Sequence, residues 1–282
     1  MQVRPIAFAG VNRLTVLACP VCRSGLDDLD GRTFGCENGH RFDRARDGSI
    51  DLLRPGHPRR DSGDAADMVR ARRAFLDRGR YAVLTEGLGA LADRLAPTTV
   101  LDVGCGEGTF TAALCGPGRE VVAFDLAKAG VRLAARRLGA AATCCVAGVT
   151  EMPAVDGSCD LVTSVMSPTS EAEFLRVTRP EGHVVVVSPG PDHLDGLRRL
   201  LDADYRAHDG EVPLAGRLTA VTVDRFRSDQ VLSPEEAELV WAMTPYRWNA
   251  PAEGVERLRA ASEVPVTVDF VATTFAARAR PP

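Results

Sequence analysis

Short apolar runs alternate with segments of helical periodicity through the middle of the chain. The apolar runs predict five strands, at 99–103, 120–124, 142–146, 161–165 and 183–188. Between them the periodicity predicts helices at 108–114, 127–138 and 171–177. Strands and helices that alternate in this way form β-α-β units and a parallel sheet. We therefore expect a doubly wound α/β fold.

The segments on either side of this alternation have a less regular pattern. Apolar residues at helical spacing predict one helical stretch from Met68 to about Arg94, which Pro97 ends. Residues 54–66 have the composition of a linker. After Leu194 the pattern predicts helices at 194–202, 234–243 and 253–261 and strands at 217–226 and 264–276. Antiparallel strands added late to the sheet fit this order.

The composition is that of an ordinary globular protein of one or two domains, with 282 residues, 45% of them hydrophobic and 26% charged. No apolar run is long enough to span a membrane, and charged residues interrupt the first eighteen, so we expect a cytoplasmic protein. The net charge of −4 argues against a nucleic-acid partner. Residues 1–60, however, carry ten arginines and seven acidic residues, a net of +3.

Three of the eight cysteines lie in the first 40 residues, in the pattern Cys19-x2-Cys22 and Cys36-x3-His40. Two tight turns that offer four soft or borderline ligands suit tetrahedral Zn²⁺. All four positions are filled by protein, which favours structural over catalytic zinc, and a cluster of free thiols is the alternative. The sequence therefore predicts that residues 14–53 form a small loop-rich module that the metal holds together.

The segment from Val100 to Phe110 carries Asp102, Gly104 and Gly106 between a strand and a helix. Glycines at such a turn let the backbone approach a ligand closely. Asp125 follows the next strand, where an acid of a doubly wound fold binds ribose hydroxyls. A glycine-rich turn without a ligand, or a nicotinamide-binding fold, stays open as the alternative.

This Asp-x-Gly-x-Gly-x-Gly arrangement resembles motif I of class I S-adenosylmethionine-dependent methyltransferases. The resemblance implies that Gly104 and Gly106 line the methionine part of the cofactor, that Asp102 holds the loop or the cofactor's amino group, and that Asp125 grips the ribose. Backbone groups at Ala147 and Gly148, or else Glu151, would hold adenine. The cofactor-binding residues expected in this way are Tyr81, Asp102, Gly104, Gly106, Asp125, Leu126, Ala147 and Gly148.

Four collinear segments resemble the RlmA-type 23S rRNA guanine-N1 methyltransferases: the Cys/His pattern, 67–81, 188–194 and 243–248. The resemblance implies a zinc module at 1–55, a linker and helical segment at 56–96 and a methyltransferase domain at 97–282. It also implies a homodimer that grips a 23S rRNA hairpin, and resistance to macrolide-type antibiotics. The turn at Ser167–Ser170 departs from the family, whose members often have lysine there.

Two groups of arginines are candidates for phosphate contacts, which position RNA without reading its sequence. A solvated helix face is the alternative for the second group. The residues are Arg41, Arg44, Arg46, Arg72, Arg73 and Arg80.

Guanine N1 carries a proton that some group must accept. His193 and Asp192 follow the fifth predicted strand and are the candidates, with a turn residue or helix cap as the alternative. Trp241 and Trp248 would stack a flipped base or pack in the core. Three hypotheses remain: an rRNA methyltransferase, a small-molecule methyltransferase on the same scaffold, and a non-enzymatic binding protein.

Overall fold

The computed structural model describes residues 16–54, 65–202, 214 and 218–277. The strands are β1 (Asp27–Asp28), β2 (Thr33–Gly35), β3 (Arg41–Asp43), β4 (Ile50–Asp51), β5 (Thr99–Val103), β6 (Glu120–Asp125), β7 (Thr143–Val146), β8 (Cys159–Val165), β9 (Thr178–Pro189), β10 (Leu218–Leu232) and β11 (Val264–Ala277). The helices are α1 (Ala66–Leu76), α2 (Ala82–Leu95), α3 (Thr109–Leu114), α4 (Lys128–Leu138), α5 (Glu171–Val177), α6 (Asp195–Leu201), α7 (Pro234–Met243), α8 (Tyr246–Asn249) and α9 (Ala252–Ala260). Most of the expected linker, 55–64, lies outside the described residues.

The expected doubly wound sheet is confirmed. Eight strands have the order β10-β11-β9-β8-β5-β6-β7-β4. The six from β9 to β4 are parallel, and β11 pairs antiparallel with both β9 and β10. The chain runs from β5 outward to β7 and then returns to the other side of β5 at β8. Ligands bind in such a fold where the strand order reverses, at the carboxyl ends of the strands.

Successive residues of the parallel strands point to opposite faces of the sheet, and each face carries a core. In β5, Val100 belongs to the core under α1, α2, α4 and α7, whereas Leu101 belongs to the core on the α5 side. Both side chains are fully buried. This two-sided burial explains why the strands read as continuous apolar runs in the sequence.

The N-terminal segment folds onto the second core. Its strands β1, β2 and β3 form a separate antiparallel sheet, but β4 pairs with β7 at the edge of the large sheet. The buried side chains of Val16, Phe34 and Ile50 pack with those of Met152 and Ala154. Because the segment is too small to bury these side chains alone, the large sheet supplies the missing apolar surface.

The prediction of a single helix from Met68 to Arg94 was wrong in one respect, because this segment forms two helices. α1 ends at Leu76, and a turn precedes α2 at Ala82. Gly79 lies in this turn with φ +74°, a conformation that glycine adopts without strain. The turn brings Tyr81 into the core, where only 3% of it is exposed. None of the described helices has the length and apolar character needed to cross a membrane.

Candidate functional site: a cofactor cleft and a metal centre

The glycine loop, Gly104–Gly108, leaves β5 at the point where the strand order reverses. Its three glycines have φ values of +72°, +54° and +87°. The backbone amides of Gly104 and Cys105 both donate to the carbonyl of Phe124, at 2.8 and 3.0 Å. A Cβ on Gly104 would lie 1.9 Å from the Oγ of Ser167. Glycine is therefore required at position 104 both by the left-handed backbone and by the approach of the loop after β8.

Asp102 is buried beneath this loop and holds it in place. Its Oδ2 accepts a hydrogen bond from the hydroxyl of Thr111 at 2.6 Å, and its Oδ1 accepts one from Thr163 at 2.7 Å. Burial raises the pKa of Asp102, and the two hydroxyls oppose that shift. Both carboxylate oxygens are thus engaged between α3 and β8. Of the two roles expected for Asp102, the geometry favours holding the loop.

Asp125 ends β6 beside the glycine loop. Its Oδ2 accepts from the amide of Gly106 at 2.9 Å, and its Oδ1 accepts from the amide of Ala127 at 2.8 Å. The amide of Ala147 donates to the Asp125 carbonyl at 3.1 Å, which brings the end of β7 alongside. The expected ribose and adenine contacts therefore lie side by side along one edge of the sheet. Glu151, the other candidate for adenine, is paired with Arg54 at 2.9 Å.

Two polar side-chain atoms, one in the glycine loop and one at the start of α3, lack partners among the described residues. They are Oε1 of Glu107 and Oγ1 of Thr109, and both atoms are buried. Glu107 is only 2% exposed. A buried carboxylate without a hydrogen-bond donor is costly, so a ligand that supplies donors fits this loop. Sequence reasoning missed Glu107, although an acid between two motif glycines was a visible signal.

A chain of buried hydrogen bonds joins three parts of the fold. It links Tyr81, directly before α2, to His193 in the segment that follows β9, and His193 to Asp269 on β11. The amide of Asp269 donates to His193 Nδ1 at 3.2 Å, and His193 Nε2 lies 3.2 Å from the hydroxyl of Tyr81. Burial lowers the pKa of His193 to about 4, against the opposing charge of Asp269, so the ring is neutral near pH 7. Because Nδ1 accepts, the proton is on Nε2, which donates to Tyr81.

This arrangement leaves His193 without a free ring nitrogen to accept a substrate proton. Both ring nitrogens of His193 are engaged, and the ring also contacts Phe270 at a centroid distance of 4.4 Å. Asp192 forms ion pairs with Arg225, at 3.1 Å, and with Arg227 on β10. The geometry therefore favours a positioning role for His193, whereas both ion pairs of Asp192 use its Oδ2 and leave Asp192 a candidate base.

The four expected metal ligands, all within the first 40 residues, converge on one another. Sγ of Cys19, Cys22 and Cys36 and a ring nitrogen of His40 all lie within 4.8 Å of one another. His40 Nδ1 is 3.6 Å from Cys19 Sγ and 3.3 Å from Cys36 Sγ, and the thiols of Cys22 and Cys36 are 3.6 Å apart. Bond lengths of about 2.0–2.3 Å give a tetrahedral zinc site with edges of about 3.3–3.8 Å. The donor set and its spacing therefore fit Zn²⁺.

The structure separates the arginines that were expected to contact RNA. Arg80 pairs through two nitrogens with Glu236, each at 2.7 Å, and Arg73 pairs with Asp77 at 3.3 Å. Arg72 approaches the glycine loop instead, with Nη1 4.0 Å from the position of a Cβ on Gly106. Near the metal ligands, Arg44 pairs with Asp28 at 3.4 Å.

Arg41, which follows His40 in the chain, and Arg46 are exposed. Of the two tryptophans, Trp241 packs against the core and Trp248 is 68% exposed. The structure thus leaves Arg41, Arg46 and Trp248 on the surface, where an RNA could reach them.

The comparisons with known proteins agree with both sites. Residues 17–59 match a family described as "RlmA, N-terminal", and residues 100–182 match one described as "Methyltransferase domain". A Streptomyces fradiae protein named 23S rRNA (guanine(748)-N(1))-methyltransferase is 35% identical over 92% of this chain and 96% of its own.

Two further relatives carry provisional names as 23S rRNA (guanine-N(1)-)-methyltransferases. One, from Bacillus subtilis, is 30% identical over 90% of this chain and 95% of its own. The other, from Micromonospora griseorubida, is 33% identical over 94% and 97%. The likeness thus spans both the metal-binding segment and the glycine loop.

Proposed function

The chain belongs to the RlmA-type family of 23S rRNA (guanine-N1)-methyltransferases, and we propose that it methylates N1 of one guanine in a 23S rRNA hairpin. The observation that carries this proposal is the likeness to the Streptomyces fradiae enzyme along nearly the whole of both chains. A match confined to the glycine loop would support methyl transfer alone. Here the zinc segment, which sets the family apart, is matched as well.

S-adenosylmethionine is the cofactor, and its bound sulfonium supplies an electrophilic methyl group. We propose that the loop at Gly104 and Gly106 lines its methionine part, that Asp125 and Leu126 border the ribose, and that Ala147 and Gly148 border adenine. Methyl transfer depends mainly on holding the reactants in line and excluding water. Tyr81, whose hydroxyl is hydrogen-bonded to His193, is suited to positioning the bound cofactor.

Zinc has a structural role in this proposal. Four protein ligands leave no open coordination position for a substrate or water. The bound ion would fix the turns on either side of β1–β3 and so hold Arg41 and Arg46 on an exposed surface for phosphate contacts. We propose that the chain divides into a zinc module at 1–55, a linker and helical segment at 56–96 and a methyltransferase domain at 97–282. We also propose that it acts in the cytoplasm as a homodimer that grips the hairpin.

The proposal is tested by offering the purified protein labelled S-adenosylmethionine with unmodified large-subunit rRNA, small-subunit rRNA or no RNA. We expect label only in the large-subunit RNA. Binding of that RNA should weaken linearly on a log–log plot against salt, with a slope of about −0.7 to −0.9 per phosphate neutralised. Intact cofactor binding without label in any RNA would contradict the proposal and favour a small-molecule substrate.

A further inference from the structure

Glu107 is the one residue of the glycine loop whose burial the fold does not explain. Its side chain is 2% exposed, and within the described residues its Oε1 has no hydrogen-bond partner. Its charge is among the causes that raise the pKa of Asp102, so the two carboxyl groups lie near each other. Asp102, however, is satisfied by two threonine hydroxyls. Among the described residues, the buried carboxylate of the glycine loop that lacks a hydrogen-bond partner is therefore that of Glu107.

Arg72 brings a positive charge to the same loop from α1. Its Nη1 lies 4.0 Å from where a Cβ on Gly106 would be, and its Nη2 donates to the carbonyl of Met243 at 3.4 Å. The guanidinium is thereby held between the end of α7 and the glycine loop. Neighbouring arginines turn elsewhere: Arg73 pairs with Asp77, and Arg80 pairs with Glu236.

We propose that Glu107 and Arg72 form a charge clamp for the amino-acid end of S-adenosylmethionine, with Glu107 accepting from the α-ammonium and Arg72 donating to the α-carboxylate. The amino-acid end is a zwitterion, and the two side chains offer the two complementary charges: Glu107 follows Gly106 in the chain, and Arg72 approaches Gly106 from α1. Each charge-assisted hydrogen bond in a water-poor site is among the stronger kinds. The clamp rests on the proposed use of this cofactor but is independent of the RNA substrate.

The alternative explanation of Glu107 is a structural carboxylate, and Glu173 shows what such a group looks like here. Glu173 is also buried, but Arg176 donates to both of its oxygens and the amide of Met152 donates to one. Removing its charge breaks these contacts, so the variant Glu173→Gln should be less stable. Among the described residues Glu107 has no such contacts, and Glu107→Gln should melt at the same temperature as the unsubstituted protein or higher when no ligand is present.

The test measures affinities by calorimetry for S-adenosylhomocysteine and two truncated analogues. 5′-S-(3-aminopropyl)-5′-thioadenosine lacks the carboxylate, and 5′-S-(3-carboxypropyl)-5′-thioadenosine lacks the amine. Glu107→Gln should bind S-adenosylhomocysteine and the amine analogue about ten- to a hundredfold more weakly, and the carboxylate analogue within about twofold of the unsubstituted protein. Arg72→Gln should show the reverse preference.

Glu173→Gln, the matched control, should lower the melting temperature and leave the ratios among the three ligands unchanged. The clamp is refuted if Glu107→Gln weakens all three ligands equally or none of them. It is also refuted if Glu107→Gln destabilises the ligand-free protein as Glu173→Gln does. Because no RNA is present, a separate failure to methylate RNA would leave this result standing.

Discussion

The buried imidazole of His193 makes the stability of the fold depend on pH in a range where few other groups titrate. The side chain is 4% exposed and its pKa is lowered from 6.5 to about 4, chiefly by burial. The groups that face it are Asp269, which opposes the shift, Arg198, which adds to it, and the hydroxyl of Tyr81. The unfolded chain takes up a proton at this residue near pH 6.5, whereas the folded chain does not.

The sign and size of the effect follow from this difference. Because the unfolded state binds more protons between pH 6.5 and pH 4, the stability that the neutral ring contributes is present above pH 6.5 and is lost as the pH falls. Lowering the pH from about 7.5 to about 5 should cost about 2 kcal/mol, since each pKa unit corresponds to about 1.4 kcal/mol. The full loss, reached only below about pH 4, is about 3 kcal/mol.

The assay is urea unfolding at a series of pH values between about 5 and 7.5, above the range of most carboxyl groups. His193→Gln keeps an acceptor and a donor for Asp269 and Tyr81 but cannot take up a proton. We expect its free energy of unfolding to fall by about 2 kcal/mol less than that of the unsubstituted protein over this range. His183→Gln, a change on β9, controls for loss of any histidine. Parallel pH profiles for His193→Gln and the unsubstituted protein would refute the reasoning.

Three further predictions concern other parts of the site. Gly104→Ala should destabilise the fold by more than about 1–2 kcal/mol, because the strain of a left-handed backbone and a clash with Ser167 add together. Ser167→Gly in the same chain should relieve only the clash, and urea titration of the single and double variants checks both effects. Cys36→Ser should abolish stoichiometric zinc, measured by mass spectrometry, and lower the melting temperature. Arg80→Gln should lower the free energy of unfolding by about 1–2 kcal/mol, because it breaks the pair with Glu236. It should leave the slope of RNA affinity against salt unchanged, whereas a slope smaller by about one would show that Arg80 contacts a phosphate.

The parallel half of the fold could be predicted from the sequence because its signals are local. Each strand from β5 to β9 contains a short apolar run, and the residues of the glycine loop are adjacent in the chain. The four metal ligands likewise lie within 22 residues, so their spacing was sufficient to predict their convergence. In both cases the residues that define the feature are close together in the sequence.

The contacts that the sequence did not predict join distant segments. The pairing of Ile50 with Cys145 places β4 in the large sheet, and nothing in a two-residue strand indicates its partner. Tyr81 and His193 meet across 112 residues, as Arg80 and Glu236 do across 156. Charge and periodicity do not distinguish such pairs from solvated side chains. That is why Arg80 was expected to contact RNA.

The most direct test of the proposed function is the position of the methyl group on the RNA. Unmodified 23S rRNA would be incubated with the protein and S-adenosylmethionine and then read by primer extension, because a methyl group on guanine N1 blocks base pairing. We predict one new stop, one nucleotide before a single guanine in a hairpin, and 1-methylguanosine in the digested RNA. Full-length extension together with label at another base or atom would contradict the proposal.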